Sequence, residues 1–294
     1  MERHLKSADG GANLLMDDKA RIIKKALSLG ARVAGIAAVD AINRFAPAGY
    51  RPDDMLKGAL SVIVLGGNEP TAGAWRSGTN RVLGSIGYNR SLLAAAARRL
   101  AYFIEDQFGY YAIPVPSGNR TGRYPYISLK LCAEQAGLGS RSMAGGVILN
   151  PRYGLLYFNA VITTMPLEED GPLADPVCPH SSCVRLWEKK KTTPCISSCP
   201  DCLSGGIKAG RIQWMEYRQD CCYPRAQTTA MDIFQKLLLE AVNEPDADRR
   251  KAILFGSHFT RTVRSVAYSS ELSAQCFNCL KRCPVVRRRV KKLQ

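Results

Sequence analysis

No stretch of the sequence reaches the ~18 uncharged apolar residues that a membrane-spanning helix needs. The first residues, MERHLKSADGGANLLMDDKAR, lack the basic-then-apolar layout of a secretory signal and the paired arginines of a twin-arginine signal. A cytoplasmic location without a membrane partner is the expectation. Acid is scarce: 25 Asp+Glu stand against 41 Lys+Arg, a net charge of +16. That balance suits an anionic partner such as nucleic acid, yet no helix-turn-helix or RNP signature accompanies it. Part of it is local, because Lys281–Gln294 holds seven basic residues and no acid. A short basic end of this kind reads as a solvated tail.

With 294 residues, 46% hydrophobic and 22% charged, the chain has apolar material for one large core or two smaller ones. Disorder and a collagen-like repeat are excluded. Residues 18–30 place Ile22, Ile23, Ala26, Leu27 and Leu29 on one helical face, with Asp17 and Asp18 before them and Gly30 after. ARVAGIAAV and LSVIVLGG (60–67) read as strands, 89–108 as a long helix, and YAIPV as a short strand. YISLKLCAEQAGLG reads as a helix ending on glycine, and GGVILN and LLYFNAVITT as further strands. Helices mixed with short strands predict an α+β or α/β domain with a largely covered sheet. MPLEEDGPLADP (165–176), proline-rich and acidic, marks a boundary, giving domains over 1–174 and 175–294. Helices are predicted beyond it at 228–243 and 249–268.

Eleven cysteines are present, and ten of them lie between Cys178 and Cys283. Without a secretion signal a disulfide framework is not expected, and clustered thiols point to metal. Cys132 is the exception, because its mid-helix place on an apolar face predicts a core thiol. Two segments, Cys195-Ile-Ser-Ser-Cys199-Pro200 and Cys276-Phe-Asn-Cys279-Leu-Lys-Arg-Cys283-Pro284, both end in Cys-x3-Cys-Pro. This is the second half of the bacterial ferredoxin run, in which the cysteine before proline ligates the other cluster. Two such ends predict two 4Fe-4S clusters. One would take Cys178, Cys183, Cys195 and Cys283; the other Cys276, Cys279, Cys199 and one of Cys221 and Cys222, with Cys222 preferred. The spacing from Cys178 to Cys195 is irregular, so Cys202 competes for a ligand role. Structural zinc, which prefers two Cys-x2-Cys knuckles, fits this spacing less well. His180 reads as a polar loop residue.

The segments AEQAGLG (133–139), GGVILNPRYG (145–154) and VITTMPL (161–167), together with the two-cluster cysteine pattern, resemble the epoxyqueuosine reductases, whose catalytic core the reductive dehalogenases share. The resemblance runs from about Leu29 to Pro284. It implies a nitroreductase-like α/β core domain holding a cobalamin, followed by a ferredoxin-like two-cluster module. Electrons from ferredoxin or flavodoxin would pass through the clusters to cobalt and reduce an electrophilic small molecule. It also implies corrinoid contacts from Gly137, Gly139, Gly145, Gly146, Ile148 and Asn150. Flavin ranks lower, because no phosphate-binding fingerprint calls for it. Arg123 stands where epoxyqueuosine reductases carry an Asp proton donor. Arginine is a poor acid but a good partner for an anionic substrate, which leaves Tyr124, Tyr126 and Lys130 as candidate proton donors. tRNA is a second substrate class, supported by charge and disfavoured by Arg123. A non-catalytic electron carrier or reductive activator is the alternative function.

Overall fold

The computed structural model describes residues 8–76, 90–116, 125–218, 221–222, 231–267 and 277–291. The chain divides into two compact units, one of residues 1–69, 90–142 and 147–178, the other of 70–89, 143–146 and 179–294.

In the first unit, helix α1 (Ala8–Ser28) leads into strand β1 (Val33–Ala38), followed by β2 (Ser61–Gly67), helix α2 (Arg90–Phe108) and β3 (Ala112–Pro114). Helix α3 (Leu129–Gln135) comes next, then β4 (Ser140–Arg141), β5 (Ile148–Asn150), β6 (Gly154–Leu155) and β7 (Tyr157–Thr163). The main sheet runs β1-β2-β7-β3 with every pairing antiparallel, and β4-β5-β6 form a second, small sheet. Strand alternation divides the core in two. Val62, Val64, Ala160 and Ile162 face one way, onto α3 through Leu131, Cys132 and Ala133. Ile63, Leu65 and Val161 face the other, onto Ile22 and Ala26 of α1 and Leu100 and Ile104 of α2. Both faces of the sheet are therefore covered by helices, and β2 is buried along its whole length. Burial of this kind, at ~25 cal/mol per Å² of apolar surface, is the main stabilising contribution. Cys132 is fully buried in the first of these clusters, as its helical position predicts.

The second unit carries α4 (Ser181–Lys190), α5 (Pro194–Ser198), the hairpin β8 (Leu203–Lys208) and β9 (Arg211–Tyr217), and α6 (Met231–Asn243). Helices α7 (Ala247–Phe255), α8 (Ser257–Ala267), α9 (Asn278–Arg282) and α10 (Pro284–Lys291) follow, and a further short helix, Ala72–Arg76, belongs to the same unit. The helix expected over 249–268 is two helices, broken where Gly256 is extended at φ −66° and ψ 153°. The basic end, expected as a solvated tail, begins as α10, with Val285 and Val286 buried. Among the described residues no helix is long and apolar enough to cross a membrane.

Candidate functional site

Each of the two Cys-x3-Cys-Pro segments forms a one-turn helix, the first with a side-chain N-cap and the second without one. Helix α5 has five residues and is capped at its C-terminus by Cys199 ahead of Pro200; α9 also has five and is capped by Cys283 ahead of Pro284. Proline cannot continue with a backbone donor, so each turn ends where the motif ends. The two short helices pack against each other. Phe277, fully buried beside α9, meets the Trp75 ring edge-on at 5.9 Å.

This packing gathers thiols from distant parts of the chain. Cys183 of α4, Cys195 of α5 and Cys283 at the end of α9 are all buried, and each bears electrostatically on another. Burial first, then the neighbouring Cys283 and Cys195, pushes the Cys183 thiol up to about 11. Burial likewise raises Cys195 and Cys283. These are three of the four cysteines that the sequence assigns to one cluster.

A second group surrounds Tyr217, at the end of β9. Its phenol is raised by burial, then by a hydrogen bond to Cys222 and the proximity of Cys222, Cys279 and Cys202. The backbone organises this group: Arg218 N donates to Cys202 O at 2.9 Å and Cys222 N donates to Arg218 O at 3.3 Å. Cys199 is buried and anchors the loop, since its carbonyl accepts from the amides of Cys202 and Leu203. Cys221 is exposed and Cys178 half-buried. Cys276, Arg123 and Tyr124 lie outside the described residues. None of the described cysteines forms a disulfide. Among the described residues no three His, Cys, Asp or Glu side chains converge tightly enough to hold one metal ion.

Hydroxyls support both groups, and the sequence reading missed them. Thr193 Oγ1 lies 3.1 Å from Cys195 Sγ and accepts from Ile196 N as the N-cap of α5. Thr-Pro immediately before a cysteine is a legible helix-start signal. His180 has a similar structural role: its Nδ1 caps α4 by accepting from Ser182 N at 3.2 Å.

The residues implicated in corrinoid contact are placed as follows. Gly137 has φ +67°, and a side chain there would meet Gly171 O at 2.7 Å. A Cβ at Gly139 would meet Leu149 O at 2.5 Å and Ile148 Cγ2 at 2.6 Å. Ile148 is buried in the core. The Asn150 amide donates to Leu138 O, and its oxygen accepts from the amides of Arg152 and Tyr153. Gly145 and Gly146 back onto Tyr217 and Met215 of β9. Between these glycine turns, Ser142 Oγ is buried without a hydrogen-bond partner. Tyr126 is half-buried. Lys130 presents an exposed surface, yet the protein packed around it, and then Arg141, lower its pKa. A groove of about 690 Å³ in the first unit, lined by Lys19, Ile23, Leu27, Ala34 and Asp170, involves none of these residues.

No protein-family profile matches the chain, and no curated protein does. Solved structures do. A selenomethionine-labelled epoxyqueuosine reductase aligns at TM-score 0.54 and 17% identity, over 93% of this chain and 66% of that one. The epoxyqueuosine reductase from Streptococcus thermophilus aligns at TM-score 0.54 and 16% identity, over 92% of this chain and 67% of that one. An epoxyqueuosine reductase crystallised with an epoxyqueuosine-modified tRNA-Tyr stem loop aligns at TM-score 0.52 and 17% identity, over 93% and 66%. The chain thus spans about two thirds of the length of these proteins. At this identity the likeness is one of architecture: the chain has the fold of the epoxyqueuosine reductases.

Proposed function

We propose that the protein is an iron–sulfur oxidoreductase whose second part (175–294) is a ferredoxin-like module with two 4Fe-4S clusters. Its first part (1–174) is proposed as a nitroreductase-like catalytic domain. One observation carries the reading: the cysteine before proline in one motif, Cys283, lies beside Cys195 of the other motif and beside Cys183 of α4. That exchange is the logic of the two-cluster ferredoxin run.

The donor set fits the group. Buried thiols with raised pKa values are poor isolated features, but a bound cation reverses that electrostatics and deprotonates them. Cys183, Cys195 and Cys283 influence one another electrostatically. Tetrahedral zinc prefers two Cys-x2-Cys knuckles, whereas two Cys-x3-Cys-Pro ends match the cubane run. Cys183, Cys195, Cys283 and Cys178 would hold one cluster. Cys222, Cys279, Cys276 and Cys199 would hold the other, with Cys202 and Cys221 as alternates. When bound, such clusters supply one-electron transfer at low potential. The chain's own residues bury Cys183, Cys195 and Cys283, orient thiols through two one-turn helices, and place hydroxyls against them.

A corrinoid as the group these electrons reach rests on the sequence resemblance. Gly137, Gly139, Ile148 and Asn150 spend their contacts inside the first unit and do not form a cradle there. Their internal packing supports the second reading, an electron carrier or reductive activator. In the first reading the substrate is an electrophilic small molecule and the donor a ferredoxin or flavodoxin. tRNA is the competing substrate class, supported by the net charge of +16.

Anaerobic purification with cobalamin supplied, followed by iron, sulfide and cobalt analysis, tests the proposal. Near eight iron and eight sulfide per chain, as two cubanes require, are expected. Zinc alone at these thiols would refute the redox reading, and iron without cobalt would select the carrier.

A further inference from the structure

We propose that the Thr193 hydroxyl sets the reduction potential of the first cluster by donating a hydrogen bond to the Cys195 sulfur. The inference rests on the iron–sulfur reading above and extends it to one specific control.

Thr193 is 1% exposed, and its Oγ1 lies 3.1 Å from Cys195 Sγ. Between a thiol and a hydroxyl either atom could donate. A metal-bound thiolate has no proton, so with iron present the hydroxyl must be the donor. The geometry leaves its proton free for that purpose. Oγ1 already accepts from Ile196 N at 3.4 Å, and acceptance uses a lone pair, not the O–H. The neighbouring Thr192 does not compete, because its hydroxyl pairs with Ser197 Oγ at 3.0 Å. The backbone amides of Ile196 and Cys195 also bear on this sulfur, while Pro194 has no N–H to add, so Thr193 contributes the side-chain hydrogen bond beside them.

A hydrogen bond to a ligand sulfur stabilises the electron-rich, reduced cluster and raises its potential. Where both partners are buried, as here, its effect is larger than at the surface. Thr193 is thus a positioning residue for α5 and a tuning residue for the cluster, and the two roles can be separated.

The test uses the full chain, loaded anaerobically with iron and sulfide, in a redox titration followed by electron paramagnetic resonance. Thr193→Val is expected to shift one of two midpoints to a more negative value and leave the other in place. Thr193→Ser, which keeps the hydroxyl, is expected to keep both wild-type midpoints. Valine also removes the helix cap. Thr193→Gly, a substitution that N-caps tolerate, provides a second hydroxyl-free variant with the same expected shift. Wild-type midpoints in either hydroxyl-free variant, at full iron content, would overturn the inference while leaving the iron–sulfur assignment standing. A wild-type chain that takes up no iron would overturn both.

Discussion

Asp170 and Ile36 hold each other by two hydrogen bonds across 134 residues: Asp170 N donates to Ile36 O at 2.9 Å, and Ile36 N to Asp170 Oδ2 at 2.7 Å. β1 is an edge strand, and an edge with bare donors and acceptors invites unwanted pairing. The acidic, proline-rich stretch covers that edge, and Lys19 of α1 closes the arrangement with a 2.7 Å ion pair to Asp170.

Asp170→Ala therefore leaves the Ile36 amide without its acceptor and should cost about 1–3 kcal/mol. Asp170→Asn retains an acceptor oxygen and loses only a partly exposed ion pair, for about 1 kcal/mol or less. Urea denaturation of both variants checks the order. Equal stability of the alanine variant and the wild type would show that the strap contributes nothing.

Cys183, Cys195 and Cys283 act as one unit in the proposed site, so their removal should not add. Each single alanine variant should lose about half of the iron, one of two clusters, and Cys183→Ala/Cys283→Ala should lose no more. Iron and sulfide assays on the purified variants measure this. A double variant with markedly less iron than either single would place the two thiols in different clusters.

Much of the first unit was legible because its periods are clean. SVIVLGG and YFNAVIT lie fully or largely buried between helical layers, and α1 and α2 carry broad apolar faces. The hairpin β8–β9 was not legible. Its turn, Ala209-Gly210, has φ of 49° and 73°, positive at both central positions as in a type I′ turn. That conformation is usually announced by Asn-Gly or Asp-Gly, and alanine gives no such signal. β8 contains Gly205 and Gly206, and β9 is mostly exposed, so neither strand alternates. The cysteine spacing pointed to two sites, but not to the hydroxyls beside them. Thr193 and Tyr217 meet Cys195 and Cys222 only through folding of α5 and the hairpin.

Cys132, alone among the described cysteines outside the 178–283 cluster, sits at 0% exposure with its thiol pushed up to about 12 by burial. Cys132→Ser places a hydroxyl among Ile127, Leu131 and Ala133 and should destabilise the chain by about 1–3 kcal/mol. Iron content should stay at the wild-type level. Loss of iron in a folded serine variant would make Cys132 a ligand.

The buried thiols also give the iron-free protein a pH dependence whose sign follows from linkage. An unfolded thiol titrates near ~8.5, whereas folded Cys183 is held at about 11 and Cys132 at about 12. The folded state therefore retains protons that the unfolded state has released across this interval, and stability must fall as pH rises through it. Below the unfolded value both states carry the protons, and these groups contribute no slope. Melting temperatures of the iron-free chain should thus be flat in this respect near neutrality and decline from about pH 9 to 11. With iron bound, Cys183 has no proton to lose and its share of the decline should vanish, while that of Cys132 persists. A melting curve equally steep in pH with and without iron would show that Cys183 is not a ligand.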